Sequence, residues 1–141
     1  MRFFISIFLI ASVFSNETFA YENKKNSSIS PLAKSYIVSP KNGDTVSQTF
    51  TVVFGLKGMG VSPAGIDKAN TGHHHLMVDS AKLPNLKVPL GKEVKHFGGG
   101  QTETVVTLTP GVHTLQLILA DYQHLPHNPA VISEKITITV K

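Results

Sequence analysis

From residue 36 to the C-terminal Lys141 the chain alternates short apolar runs, rich in Val, Ile, Thr and Phe, with breaks of Gly, Pro and Asn. No stretch carries the 3.6-residue apolar period of an amphipathic helix, so the texture predicts an all-β domain. Strands are expected over residues 36–38, 45–56, 73–79, 102–108, 112–121 and 131–140, with a weaker one over 88–97. About seven antiparallel strands fit an immunoglobulin-like or fibronectin-like β-sandwich. Between the first two, Ser39-Pro40-Lys41-Asn42-Gly43-Asp44 has turn chemistry, since Pro fixes φ and Asn-Gly accepts positive φ.

The period-two rule then sorts side chains onto faces. Ile136, Ile138 and Val140 alternate with Lys135, Thr137, Thr139 and Lys141, so the aliphatic face must be the buried one. Phe50, Val52, Phe54 and Leu56 form a second row, and Leu115, Leu117 and Leu119 a third. Each such side chain contributes on the order of 1.5–3 kcal/mol when buried, enough for a small domain if two sheets close over the rows. In the strand over 73–79, Leu76 and Val78 place His74 on the core side. His73, His75, Met77 and Asp79 share the opposite face.

Upstream the pattern changes. Arg2, the apolar run from Phe3 to Phe14, and Thr18-Phe19-Ala20 have the layout of a secretory signal peptide. That run is shorter than the roughly 20 residues a membrane-spanning helix needs. Residues 1–20 are therefore expected to be removed, leaving a soluble periplasmic protein with a flexible polar leader over 21–35 and a single β-sandwich domain over 36–141. There is no cysteine, which rules out disulfides and thiolate ligands and leaves imidazole as the main means of holding a metal. Net charge is +4 with neutral histidines, lysines are dispersed, and arginine occurs only at position 2. That argues against nucleic-acid binding, where arginine forks do much of the work.

Candidate chemistry lies in the histidines. His73 and His75 stand two apart on one strand face, about 6.6 Å along the chain, near enough to share an ion. With immunoglobulin-like strand directions, His96 and the segment 122–129 carrying His124 and His127 emerge at the same end. The expected metal ligands are therefore His73, His75, His96, His124 and His127, and imidazole nitrogen points to Cu or Zn. Met77 or Met59 would bias such a site toward Cu(I), and Asp79, Asp121 and Glu103 are available to orient the rings. His74 is expected to be a packed, hydrogen-bonded core residue, and Gly98-Gly99-Gly100 a flexible turn.

Leu108-Thr109-Pro110-Gly111-Val112-His113-Thr114-Leu115 resembles the corner that leads into the sixth strand of immunoglobulin-like domains, with His113 where a tyrosine usually bonds back to the turn. His113 is accordingly expected to be structural and to sit at the opposite end from the triple histidine. No nucleophilic triad or Gly-x-Ser-x-Gly elbow is present, so an enzyme is not expected. The catalytic alternative is hydrolysis by a metal-bound water with Glu103 or Asp121 as base. Two other readings are an envelope module that binds glycan or a protein partner through the loop over 58–72 and the histidine-rich end without metal, and a pH sensor built on the same rings.

Three stretches carry a wider resemblance: Gly72-His73-His74-His75-Leu76-Met77-Val78-Asp79, Pro110-Gly111-Val112-His113-Thr114-Leu115-Gln116-Leu117 and Ala120-Asp121-Tyr122-Gln123-His124-Leu125-Pro126-His127-Asn128-Pro129. Together they resemble the small exported bacterial proteins grouped as domain of unknown function 4399, over about residues 39–141. The resemblance implies a compact exported β domain of the Gram-negative cell envelope and carries no established activity.

Overall fold

The computed structural model describes residue 30 and residues 32–141, so the expected signal peptide and most of the leader lie outside the described residues. Ten strands and no helix occur among the described residues: β1 (Lys34–Ser39), β2 (Thr45–Val46), β3 (Thr49–Lys57), β4 (Gly60–Val61), β5 (Thr71–Val78), β6 (Lys95–His96), β7 (Glu103–Thr107), β8 (Gly111–Ala120), β9 (Pro126–Ile132) and β10 (Ile136–Val140). It follows that no helix there is long and apolar enough to cross a membrane. The strands form two sheets. The smaller has the order β1-β3-β7, and the larger β2-β10-β8-β5-β4, with β6 paired to β5 and β9 to β8. Pairing is antiparallel except where β2 joins β10 and β4 joins β5.

Three of the expected strands are interrupted, each for a local reason. The run over 45–56 breaks at Ser47-Gln48: β2 belongs to the larger sheet and β3 to the smaller, and the chain changes layer between them. At that crossing Ser47 Oγ donates to the Thr49 carbonyl (2.7 Å) and Leu108 N donates to the Gln48 carbonyl (2.9 Å). The run over 131–140 splits at residues 133–135 because Ser133 replaces a ladder bond with its side chain, accepting Leu117 N on Oγ at 2.8 Å. The weak strand over 88–97 contracts to Lys95–His96, and residues 80–94 run as an irregular excursion. Half of the segment 122–129 is strand, since β9 starts at Pro126.

The aliphatic rows face inward as the alternation requires. Val52, Phe54, Leu76, Phe97, Val106, Leu115, Leu117, Ile136, Ile138 and Val140 form the core between the sheets. The outer face of the larger sheet is also covered. There Met77, Ile118 and Ala120 pack with Leu90 and Val94 of the excursion. Because β5 is covered on both sides, it reads as a nearly unbroken buried run rather than an alternating one.

His113 bonds back to the turn that leads into β8, as expected. Its Nε2 donates to the Thr109 carbonyl (2.8 Å) and its Nδ1 to Asp79 Oδ2 (2.7 Å), while Asp79 Oδ1 accepts Thr114 N at 2.8 Å. Both ring neighbours are acceptors, so the imidazolium is the favoured form. The Asp79 hydrogen bond, then the Thr109 carbonyl, raise the His113 pKa; burial raises that of Asp79, but the bonds from His113 and Thr114 outweigh it and lower the net value. The signs set a window. The His113 contribution is fully present below pH ~6.5 and is lost as pH rises through its raised folded value. The Asp79 contribution is present above pH ~4 and is lost as pH falls through its lowered value. Asp79 is 47 % exposed and screened, so His113→Gln is expected to cost about 1 kcal/mol between pH 4 and 6.5 and less above it. Urea unfolding of both proteins at several pH values measures this, and a cost that grows above pH 7 would contradict the charged pairing.

Candidate metal centre

His73, His74 and His75 follow one another on β5, so their rings alternate between the two buried layers. His74 points inward, where its ring lies 5.2 Å from that of Phe54. It is packed as expected but not hydrogen-bonded, since neither ring nitrogen has a partner. His73 and His75 point outward. They are 0 % and 1 % exposed, whereas His96 is exposed and His124 half-buried.

Two other segments bring rings onto this pair. His96 on β6 is the register partner of His75, and the two rings stack at 5.1 Å. His124 arrives from the turn after β8, which Asp121 holds by accepting Gln123 N (2.8 Å) and Leu125 N (3.0 Å) on Oδ1. That turn puts His124 at φ 68°, in the left-handed region where histidine is found several-fold more often than most residues. The His124 carbonyl in turn accepts Leu90 N at 2.9 Å, clipping the excursion to the turn.

The four rings touch one another. His73 lies 4.7, 5.0 and 5.1 Å by centroid from His75, His96 and His124, and His96 lies 4.6 Å from His124. His96 and His124 approach at 3.1 Å between Nε2 atoms. One nitrogen each from His73, His96 and His124 falls within 4.8 Å of the others, a spacing that could hold a metal ion. All four nitrogens of His73 and His75 are buried without a hydrogen-bond partner, a costly arrangement for polar atoms.

The site disfavours protons. Burial, then the neighbouring His96 and His124, push His73 down to about 4 against the opposing pull of Asp121. Burial, then His73, His96 and His124, push His75 down to about 3. His96 is lowered by desolvation and by His124. The deepest rings are therefore neutral at physiological pH, the state in which imidazole binds metals.

The remaining sequence candidates lie elsewhere. His127 makes none of these ring contacts. It sits against Gly72, where a Cβ would come within 2.8 Å of its Nε2. Asp79 binds His113 at the far end of β8 rather than a cluster ring, and Glu103 begins β7 in the smaller sheet. Met77 is buried with Leu90, Val94, Ile118 and Ala120. What the sequence reading missed is the covering role of residues 80–94, although Leu86, Leu90 and Val94 were visible as apolar positions in a polar stretch.

No curated protein matches the sequence. Among solved structures, the endo-β-1,4-mannanase from Thermotoga petrophila is similar at 17% identity and a TM-score of 0.45, over 77% of this chain and 20% of that one. The chain thus spans about a fifth of that enzyme's length. A family model does match, over residues 52–141, a range that takes in β5, β6 and the turn after β8. By that match the chain belongs to the family described as Domain of unknown function (DUF4399).

Proposed function

We propose that this is an exported metal-binding domain that holds one Cu or Zn ion through His73, His96 and His124, with His75 beside them. The observation that carries the reading is a knot of four imidazoles from three separate segments, two of them buried with every ring nitrogen unpartnered. An ion would satisfy those nitrogens in a chain that has no cysteine to offer. The signal-peptide pattern of residues 1–20 supports export to the periplasm.

The order β1-β3-β7 against β10-β8-β5 supports an immunoglobulin-like sandwich as the scaffold. Binding rather than catalysis fits the site better. Asp121 is committed through Oδ1 to holding the turn, and Glu103 stands in the other sheet.

Calorimetric titration of the metal-free mature chain with Zn(II) and with Cu(II) tests this. One equivalent is expected to bind, with the site lost in His96→Ala/His124→Ala and kept in His127→Ala. The reading fails if the wild-type protein shows no saturable one-to-one binding.

A further inference from the structure

The shape of the ring cluster discriminates among ions, and this step rests on the metal-site reading above. We infer that the site is built for tetrahedral Zn(II) with four imidazole ligands, His75 being the fourth, and that Gly98 is the positioning residue that holds His96 in the set.

The centroid separations carry the geometry. All six lie between 4.6 and 6.0 Å. A ring nitrogen bound at about 2.0–2.1 Å puts the ring centroid roughly 3.2 Å from the ion, and four such rings at tetrahedral corners are about 5.2 Å apart. A square-planar set would instead need two unshared diagonals of about 6.4 Å and four sides of about 4.5 Å. The observed long separation is His75 to His124, at 6.0 Å, but the opposite pair, His73 and His96, is only 5.0 Å apart. The cluster is a stretched tetrahedron.

His75 is outside the group of nitrogens within 4.8 Å. Its ring centroid, however, already occupies the fourth corner. The terminal torsion of histidine is broad and two-fold, so turning the ring presents a nitrogen without moving its centre far. The donor set also matters. Met77, the only methionine on the strand face with His73 and His75, is packed in the apolar cluster of Leu90, Val94, Ile118 and Ala120. Nitrogen-only donors in tetrahedral array suit Zn(II) better than thioether-seeking Cu(I) or tetragonal Cu(II).

His96 is the exposed ligand and the one most in need of restraint. On one side it stacks against His75 with an interplanar angle of 28°. On the other a Cβ at position 98 would lie 2.3 Å from its Cε1 and 2.6 Å from its Nε2, so only glycine leaves room for the ring. The backbone there is fixed. Ala64 N donates to the Gly98 carbonyl (2.8 Å), and the preceding Phe97 is buried in the core with its N–H on the His74 carbonyl (3.1 Å). A methyl at 98 would therefore displace the imidazole rather than the chain. Gly98 is not among the glycines with positive φ, so alanine is conformationally acceptable there.

Co(II), which prefers the same tetrahedral field, serves as the optical probe. One equivalent added to the metal-free mature chain is expected to give the intense visible bands of a tetrahedral centre, and Zn(II) should bleach them stoichiometrically. Gly98→Ala is expected to weaken Zn(II) binding 10- to 100-fold, the range for loss of a group that orients a ligand, with the metal-free unfolding midpoint unchanged. Gly99→Ala, where the nearest atoms to a Cβ belong to the Gln101 side chain, should bind like wild type. A weak octahedral Co(II) spectrum, a square-planar Cu(II) resonance with Cu(II) strongly preferred, or wild-type Zn(II) affinity in Gly98→Ala would overturn this inference and leave the metal site standing. Failure of every ion to bind wild type would remove both.

Discussion

Zn(II) in excess, at a free concentration a thousand times the dissociation constant, is expected to raise the midpoint of thermal unfolding by roughly 20 °C. Binding to the folded state alone adds about 4 kcal/mol under that condition, and each kcal/mol moves the midpoint of a domain this size by about 4–8 °C. The effect is large because the ligands come from β5, β6 and the turn after β8, which only folding brings together. Adjacent histidines in the unfolded chain retain some affinity and trim the shift. Calorimetric scans with zinc and with chelator measure it. His96→Ala/His124→Ala should be nearly indifferent to zinc, and a wild-type shift of only a degree or two would mean that the rings do not act as one site.

Phe54→Ala is expected to cost about 3–5 kcal/mol, the range for deleting a buried aromatic ring. Phe54 is 5 % exposed and packs at a tilt against Phe97, 4.8 Å by centroid, and His74, 5.2 Å. Those two residues are chain neighbours of the cluster rings: Phe97 follows His96, and His74 lies between His73 and His75. A cavity at position 54 therefore loosens the two strands that carry three of the four rings. Zinc affinity should fall together with stability, whereas Leu115→Ala, in the middle of β8 opposite Val78, should lower stability and leave affinity close to wild type. Denaturant unfolding paired with zinc titration separates the cases, and equal affinity in Phe54→Ala would show that the outer layer is insulated from the core.

Much of this arrangement is legible in the sequence, because period-two alternation is local. It places Leu76 and Val78 inward and His73 and His75 together on the other face of β5, and strand direction brings His96 and His124 to the same end. The corner at His113 is equally local, a bond to a carbonyl four residues back. What escapes such reading is decided by distant partners. The covering of Met77, Ile118 and Ala120 on the outer face depends on Leu90 and Val94, residues of an excursion with no repeating pattern of its own. The break between β9 and β10 depends on Ser133 standing in for a backbone acceptor of Leu117, and Asp79 serves His113 because β5 ends beside the start of β8. His127 is set apart from the other rings because its Nε2 lies against Gly72, on the side of β5 that His74 faces.

The excursion over residues 80–94 is one loop thick, secured by Leu90 and Val94, by the bond from Leu90 N to the His124 carbonyl and by that from Lys135 Nζ to the Ser80 carbonyl. So thin a cover can lift by local opening at far less free energy than the sheets need to part. Because Leu90 N is bonded to the carbonyl of His124, such an opening would free the turn that carries one of the rings. The hold on an ion is then tunable from residues 80–94 without touching a ligand.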